Sequence, residues 1–137
     1  CKEEYVFAAR RGHPLLSKPL TVERFAGADH LLISPFGPVQ TRVDHALRIQ
    51  GHNRNIETIV PSLFAALSII ERSDLVVTLP GRVAVNNSGR FDITHRPLPL
   101  DGGRFDLHAV RHARDAQSAI HFWVVDQLKP ILANEAG

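Results

Sequence analysis

The sequence contains no Met, a single Cys, one Trp and one Tyr in 137 residues. Without Met, residue 1 is no native start, and the expectation is an excised or processed piece of a longer protein. One Cys, at position 1, excludes an internal disulfide framework. No apolar run approaches the roughly 18 residues a membrane span needs, and no signal peptide is visible. Charge of one sign is missing too: sixteen Lys+Arg against fourteen Asp+Glu leave +2. That balance argues against a surface that coats nucleic acid, which would carry a concentrated basic stripe. Gly-x-Gly-x-x-Gly, the phosphate-binding loop, His-Glu-x-x-His and Gly-x-Ser-x-Gly are all absent. What is present, 44% hydrophobic and 22% charged residues, is the composition of one globular domain.

Along the chain, Tyr5-Val6-Phe7-Ala8-Ala9 reads as a buried strand, and His13-Pro14 as a turn. Thr21 and Gly27 bracket a short helix. His30 to Ser34 is a second strand, Pro35-Phe36-Gly37-Pro38 a sharp loop, and 39–50 a helix. Asn55 to Val60 alternates and is β-branched, hence a strand. Pro61-Ser62 opens an apolar helix at Leu63 to Ile70, expected to be covered on most sides. Leu75 to Leu79 is a strand closed by Pro80-Gly81. The alternation β-α-β-α-β-α-β predicts an α/β fold with a mainly parallel central sheet flanked by helices. Phe91 to Leu100 and Arg104 to His112 read as two more strands, split by a turn at Asp101-Gly102-Gly103. Asp115 is expected to cap a last helix, which Pro130 should kink or end.

Eight histidines raise the question of a metal. His108 and His112 would share a strand face, but no Cys joins them and no carboxylate cluster lies close, so no metal site is expected. Asp44 and His45 are neighbours on a helix and point apart, which reads as surface polarity and no nucleophile–base pair. No catalytic residue and no cofactor is expected.

Two junctions are more informative. Ser34-Pro35-Phe36-Gly37-Pro38 and Val60-Pro61-Ser62 each link a strand to a helix start. In open α/β sheets ligands gather outside the carboxyl ends of strands, where helix N–H groups favour a carboxylate or phenolate. Phe36 would contact an apolar ligand body. The alternative is ordinary capping, with Ser62 closing its helix and the prolines shaping a turn.

At this point the residues resemble a known family. Arg11-Gly12-His13-Pro14-Leu15, Leu20 to Phe25 and His30 to Pro35 look like the effector-binding domain of LysR-type transcriptional regulators. Val60-Pro61-Ser62-Leu63-Phe64-Ala65-Ala66-Leu67, Ser73 to Pro80 and Val110-Arg111-His112 continue the likeness in the family's order over about 5–132. No single motif is diagnostic; the paired blocks at 60–67 and 73–80 are the most specific. The resemblance implies a periplasmic-binding-protein-like (type II) fold of two α/β lobes with a small-molecule effector between them. It implies that 10–104 is the second lobe. Residues 1–9 and 105–137 would be crossing strands and a C-terminal helix of an incomplete first lobe. The winged helix-turn-helix is absent from the chain, so DNA would be a partner only through that missing domain.

Carried over residue by residue, Ser34 to Pro38 line the cleft, with Val60, Pro61 and Ser62 beside them. Thr78 and Val110 follow at strand ends near the hinge. The helix 39–50 matches one that often forms the subunit interface; the other reading is a solvated helix. The resemblance further implies a cytoplasmic homo-oligomer, dimer or tetramer in the parent protein, with no membrane partner. The effector would be aromatic or carboxylate-bearing. The rival reading is a solute-binding protein of a transport system. An apolar face around Ile120, Trp123 and Val124, normally covered by the first lobe, is expected to be bare and to drive self-association.

Overall fold

The computed structural model describes residues 1–133 apart from 102, 111 and 116; the side chains at 115 and 133 are also outside the description. The turn expected at 101–103 therefore falls partly outside the described residues, at Gly102. The chain divides into two compact units, Glu4–Arg104, and Cys1–Glu3 with Phe105–Gly137.

The larger unit is built on a sheet in which β1 (Lys2–Arg10) is an interior strand. Val6 to Ala9 are all buried, so the apolar run is continuous because both faces of this strand are covered. Around it lie β2 (Asp29–Ile33), β3 (Asn55–Val60), β4 (Val76–Pro80) and β5 (Ile93–Pro97), in the order β3-β2-β4-β1-β5. β2 pairs parallel with β3 and with β4. β1 runs antiparallel to β4 and to β5, so the sheet is mixed around a parallel core.

Helices cover both faces. α3 (Leu63–Ile70) and α4 (Gly81–Asn87) share a core with Val6, Ala8, Leu31, Val77 and Leu79. On the other face, α1 (Val22–Ala26) and α2 (Arg42–Ile49) place Phe25, Val43 and Leu47 against Phe7, Ala9 and Val76. Phe7 and Phe25 meet edge to face, with centroids 6.1 Å apart.

Several sequence expectations hold locally. The Thr21 side chain accepts from Arg24 N–H at 3.3 Å, and Gly27 follows the last turn of α1. α3 starts after Ser62, as expected, although Phe64 stays exposed. Others are corrected. The helix read from position 39 begins at Arg42, because Thr41 and Asp44 form a capping box. The strand read over 91–100 shrinks to Ile93–Pro97, since Pro97 and Pro99 have no N–H to extend the ladder.

The strand read over 104–112 is only β6 (Arg104–Asp106), which pairs with β1. Leu107 N–H still reaches the Cys1 carbonyl at 2.7 Å. Asp115 does not cap the last helix. It closes a 3-10 turn, Ala113–Asp115, while α5 (Ala119–Ala133) starts after Ser118, whose carbonyl accepts Phe122 N–H at 3.2 Å. α5 also continues through Pro130 for three residues more.

Candidate functional site

The parallel strands β2, β3 and β4 end on the same side of the larger unit. There Ser34 N–H donates to the Val60 carbonyl at 2.9 Å, extending the β2–β3 ladder by one step. That bond sets the loop 34–38 beside Pro61 and Ser62. Gly37 adopts φ +82, a left-handed conformation that a residue with a Cβ resists, and it turns the chain back toward α2. At this edge Phe36 is 90% exposed, a phenyl ring held out in solvent on a tight loop.

α3 rises directly from the edge. Ser62 makes no side-chain cap bond, so the capping alternative for this residue is not what the structure shows. The first helical hydrogen bond is Ala66 N–H to the Ser62 carbonyl at 3.1 Å. The N–H groups of Leu63, Phe64 and Ala65 therefore point past the end of the helix with no carbonyl of their own turn to meet. They sit at the positive end of its dipole. The Ser34 residue is 5% exposed, and its hydroxyl has no partner among the described residues.

Thr78 lies in β4 opposite Phe7, two residues before the strand ends at Pro80. Its Oγ1 is buried and has no hydrogen-bond partner among the described residues. The edge thus gathers the Ser34 and Ser62 hydroxyls, uncapped N–H groups and one ring, while the Thr78 hydroxyl lies buried one strand over. Such a set can hold an oxyanion attached to a flat apolar body without performing any bond-making step.

Of the residues singled out in the sequence, Ser34 to Pro38 and Val60 to Ser62 are brought together, and Thr78 sits one strand over. Val110 is not at a strand end. β6 stops at Asp106, and Val110 belongs to the smaller unit in an extended segment, 91% exposed. His108 and His112 share no strand face for the same reason; His112 Nδ1 accepts from Arg114 N–H at 3.2 Å.

Two polar groups elsewhere are structural in a way the sequence hid. Asp44, read as a surface group, accepts from Arg54 Nε at 2.6 Å and from Thr41 N–H at 2.6 Å. The Arg54 side chain is only 3% exposed. Burial alone would raise the Asp44 carboxyl, but Arg54 and Thr41 together hold it below its ordinary range. His30 is fully buried under α1. Its Nε2 lies 2.8 Å from the Phe25 carbonyl, and burial pushes the imidazole down to about 4. A neutral ring with Nε2–H donating satisfies that geometry.

Comparison with known proteins adds the following. A family model described as the LysR substrate binding domain matches residues 1–133. The HTH-type transcriptional activator NahR of Pseudomonas putida is 28% identical over 123 residues, 90% of this chain and 41% of the relative. The HTH-type transcriptional regulator LinR of Sphingobium indicum is 28% identical over 134 residues, 96% of this chain and 44% of the relative. A solved structure of a probable transcriptional regulator from Pseudomonas aeruginosa is similar with a TM-score of 0.72 at 27% identity, covering 95% of this chain and 42% of that one. The chain spans about two fifths of the length of these relatives.

Proposed function

Because the chain belongs to the LysR substrate-binding domain family, we propose that it senses a small aromatic or carboxylate-bearing effector at the carboxyl ends of β2, β3 and β4. The observation that carries this is the convergence of the Ser34–Pro38 loop, Pro61–Ser62 and the uncapped start of α3 on one edge. The N–H groups of α3 would hold a carboxylate, Ser34, Ser62 and Thr78 would bond its oxygens or a ring hydroxyl, and Phe36 would lie against the ring. Residues 10–104 would be a complete second lobe. Residues 1–9 and 105–137 would be crossing strands and the terminal helix of a first lobe encoded elsewhere in the parent protein.

In that parent, a cytoplasmic homo-oligomer, effector binding would shift the poise of lobes and subunits and so the placement of a separate DNA-binding domain. The relatives named above are regulators and no enzymes. The rival reading, a solute-binding protein for transport, draws no support from them.

The test is a titration of the isotope-labelled chain with sodium benzoate, followed by amide NMR. Saturable shifts confined to 34–38, 60–65 and Thr78 are expected. Ser62→Ala should weaken binding about tenfold, since a hydrogen bond to a charged group contributes about 1.5–3 kcal/mol. Benzyl alcohol, which lacks the charge, should not saturate. Equal binding of acid and alcohol, or shifts elsewhere only, would refute the reading.

A further inference from the structure

A second depression lies away from the strand ends, between α2 and the start of β3. It is a groove of about 210 Å³ lined by Val39, Gln40, Arg48, Asn53, Arg54 and Ile56, with Asp44 at its floor. That volume is below the approximately 300–1,000 Å³ of pockets for drug-sized ligands, so any occupant is small.

The floor is rigid. Arg54 is clamped by Asp44 at 2.6 Å and by the Thr41 hydroxyl at 3.1 Å, with 3% of its side chain exposed. The charges of Arg54 and Asp44 offset one another, which leaves one uncompensated positive charge in the groove, on Arg48. Around it, the side chains of Arg48, Gln40 and Asn53 have no hydrogen-bond partner among the described residues. Val39 is 46% exposed, and with Ile56 it supplies apolar wall. The groove therefore offers a guanidinium fork and two amide groups beside aliphatic surface. A doubly charged anion such as phosphate would bring a second negative charge toward Asp44, and a neutral molecule would leave the Arg48 fork unused.

We propose that this groove is a second binding site, specific for a small aliphatic monocarboxylate, whose oxygens meet Arg48 and the Gln40 and Asn53 amides while its alkyl group lies on Val39 and Ile56. It shares no residue with the strand-end edge, so the two sites stand or fall separately.

The probe is sodium isobutyrate, titrated into the labelled chain at constant ionic strength, with isobutyramide as the uncharged isostere. The Gln40 and Asn53 side-chain NH2 signals report the groove directly. Saturable shifts of both are expected with the acid. Arg48→Ala should weaken binding at least tenfold, and Ser62→Ala should leave it unchanged. Because Arg48 is exposed and unpaired, its replacement leaves the fold intact, which the remaining amide spectrum verifies. Three results each overturn the proposal: equal shifts from isobutyramide, full binding by Arg48→Ala, or loss of binding in Ser62→Ala. Shifts of these signals with protein concentration alone, with no added effect of the acid, would show that an acidic side chain of a second copy fills the groove, and would overturn it too.

Discussion

At the scale of single residues, two buried polar groups make opposite demands. His30 is folded neutral, its imidazole pushed by burial to about 4 against an ordinary 6.5. A group whose folded value is depressed below its unfolded one favours the fold while it is deprotonated, which for an imidazole is the uncharged form. For a histidine that contribution is complete above pH 6.5 and is lost as pH falls from 6.5 toward 4. The full span corresponds to about 3 kcal/mol. Urea midpoints measured across that window should fall with acid, and His30→Gln should flatten the slope. Asp44 acts in the same direction at lower pH, because its carboxylate is held charged by Arg54 and Thr41. Thr78 differs: its hydroxyl is buried without a partner among the described residues, so the folded chain bears the cost of an unmade hydrogen bond. Thr78→Val should stabilise the free chain by about 1 kcal/mol in chemical denaturation while weakening benzoate in the titration above. A variant that loses stability instead would show that the hydroxyl is satisfied within the fold.

At the scale of elements, the boundary of α2 shows how sequence and tertiary contact divide the work. Thr41 and Asp44 have the spacing of a capping pair, yet Asp44 also anchors Arg54 from outside the helix. Asp44→Ala should therefore cost more than a lost cap. Leaving the Arg54 guanidinium buried without its partner should destabilise the chain by about 3 kcal/mol, whereas a lost cap alone costs about 1 kcal/mol. Equilibrium unfolding of Asp44→Ala beside Thr41→Val, which loses the cap and one Arg54 contact but keeps the Asp44–Arg54 ion pair, reads out the share of the ion pair. The helix starts at Thr21 and Ser62 and the strands β2, β3 and β4 were legible, because their apolar periods and flanking turn residues agree. α4 was not. Pro80-Gly81 looks like a stop, but in the fold Pro80 stands at the N-cap position and the helix runs to Asn87. The strands β5 and β6 were overextended: β5 stops at its own prolines, a signal that was in the sequence, whereas how far β6 pairs depends on its neighbour and not on its own residues.

At the scale of the whole molecule, the exposed apolar surface is concentrated on α5. Ile120, Trp123 and Ile131 are 72%, 64% and 57% exposed, in a helix within the smaller unit. We propose that a first lobe covers this face in the parent protein. The bare face should make the chain self-associate, with a sedimentation coefficient that rises with concentration, and Trp123→Glu should return it toward monomer. A concentration-independent monomer would count against that assignment. The +2 net charge offers little electrostatic repulsion to oppose such association.

The α/β class, the parallel strands whose carboxyl ends form the candidate edge, and the two strand-to-helix junctions at 34–38 and 60–62 could be read from the residues alone. All of these follow from local periodicity, turn chemistry and the order of blocks along the chain. That β1 lies antiparallel between β4 and β5 emerged from the folded chain, since strand direction depends on which neighbours close the sheet. The tertiary structure alone left Ser62 uncapped and Thr78 Oγ1 unpaired, and it alone set Arg48 beside the fixed Arg54–Asp44 pair, because whether a polar atom has a partner depends on residues far away in the chain. Val110 is the clearest case: its place at a strand end rested on continued pairing, and β6 stops at Asp106.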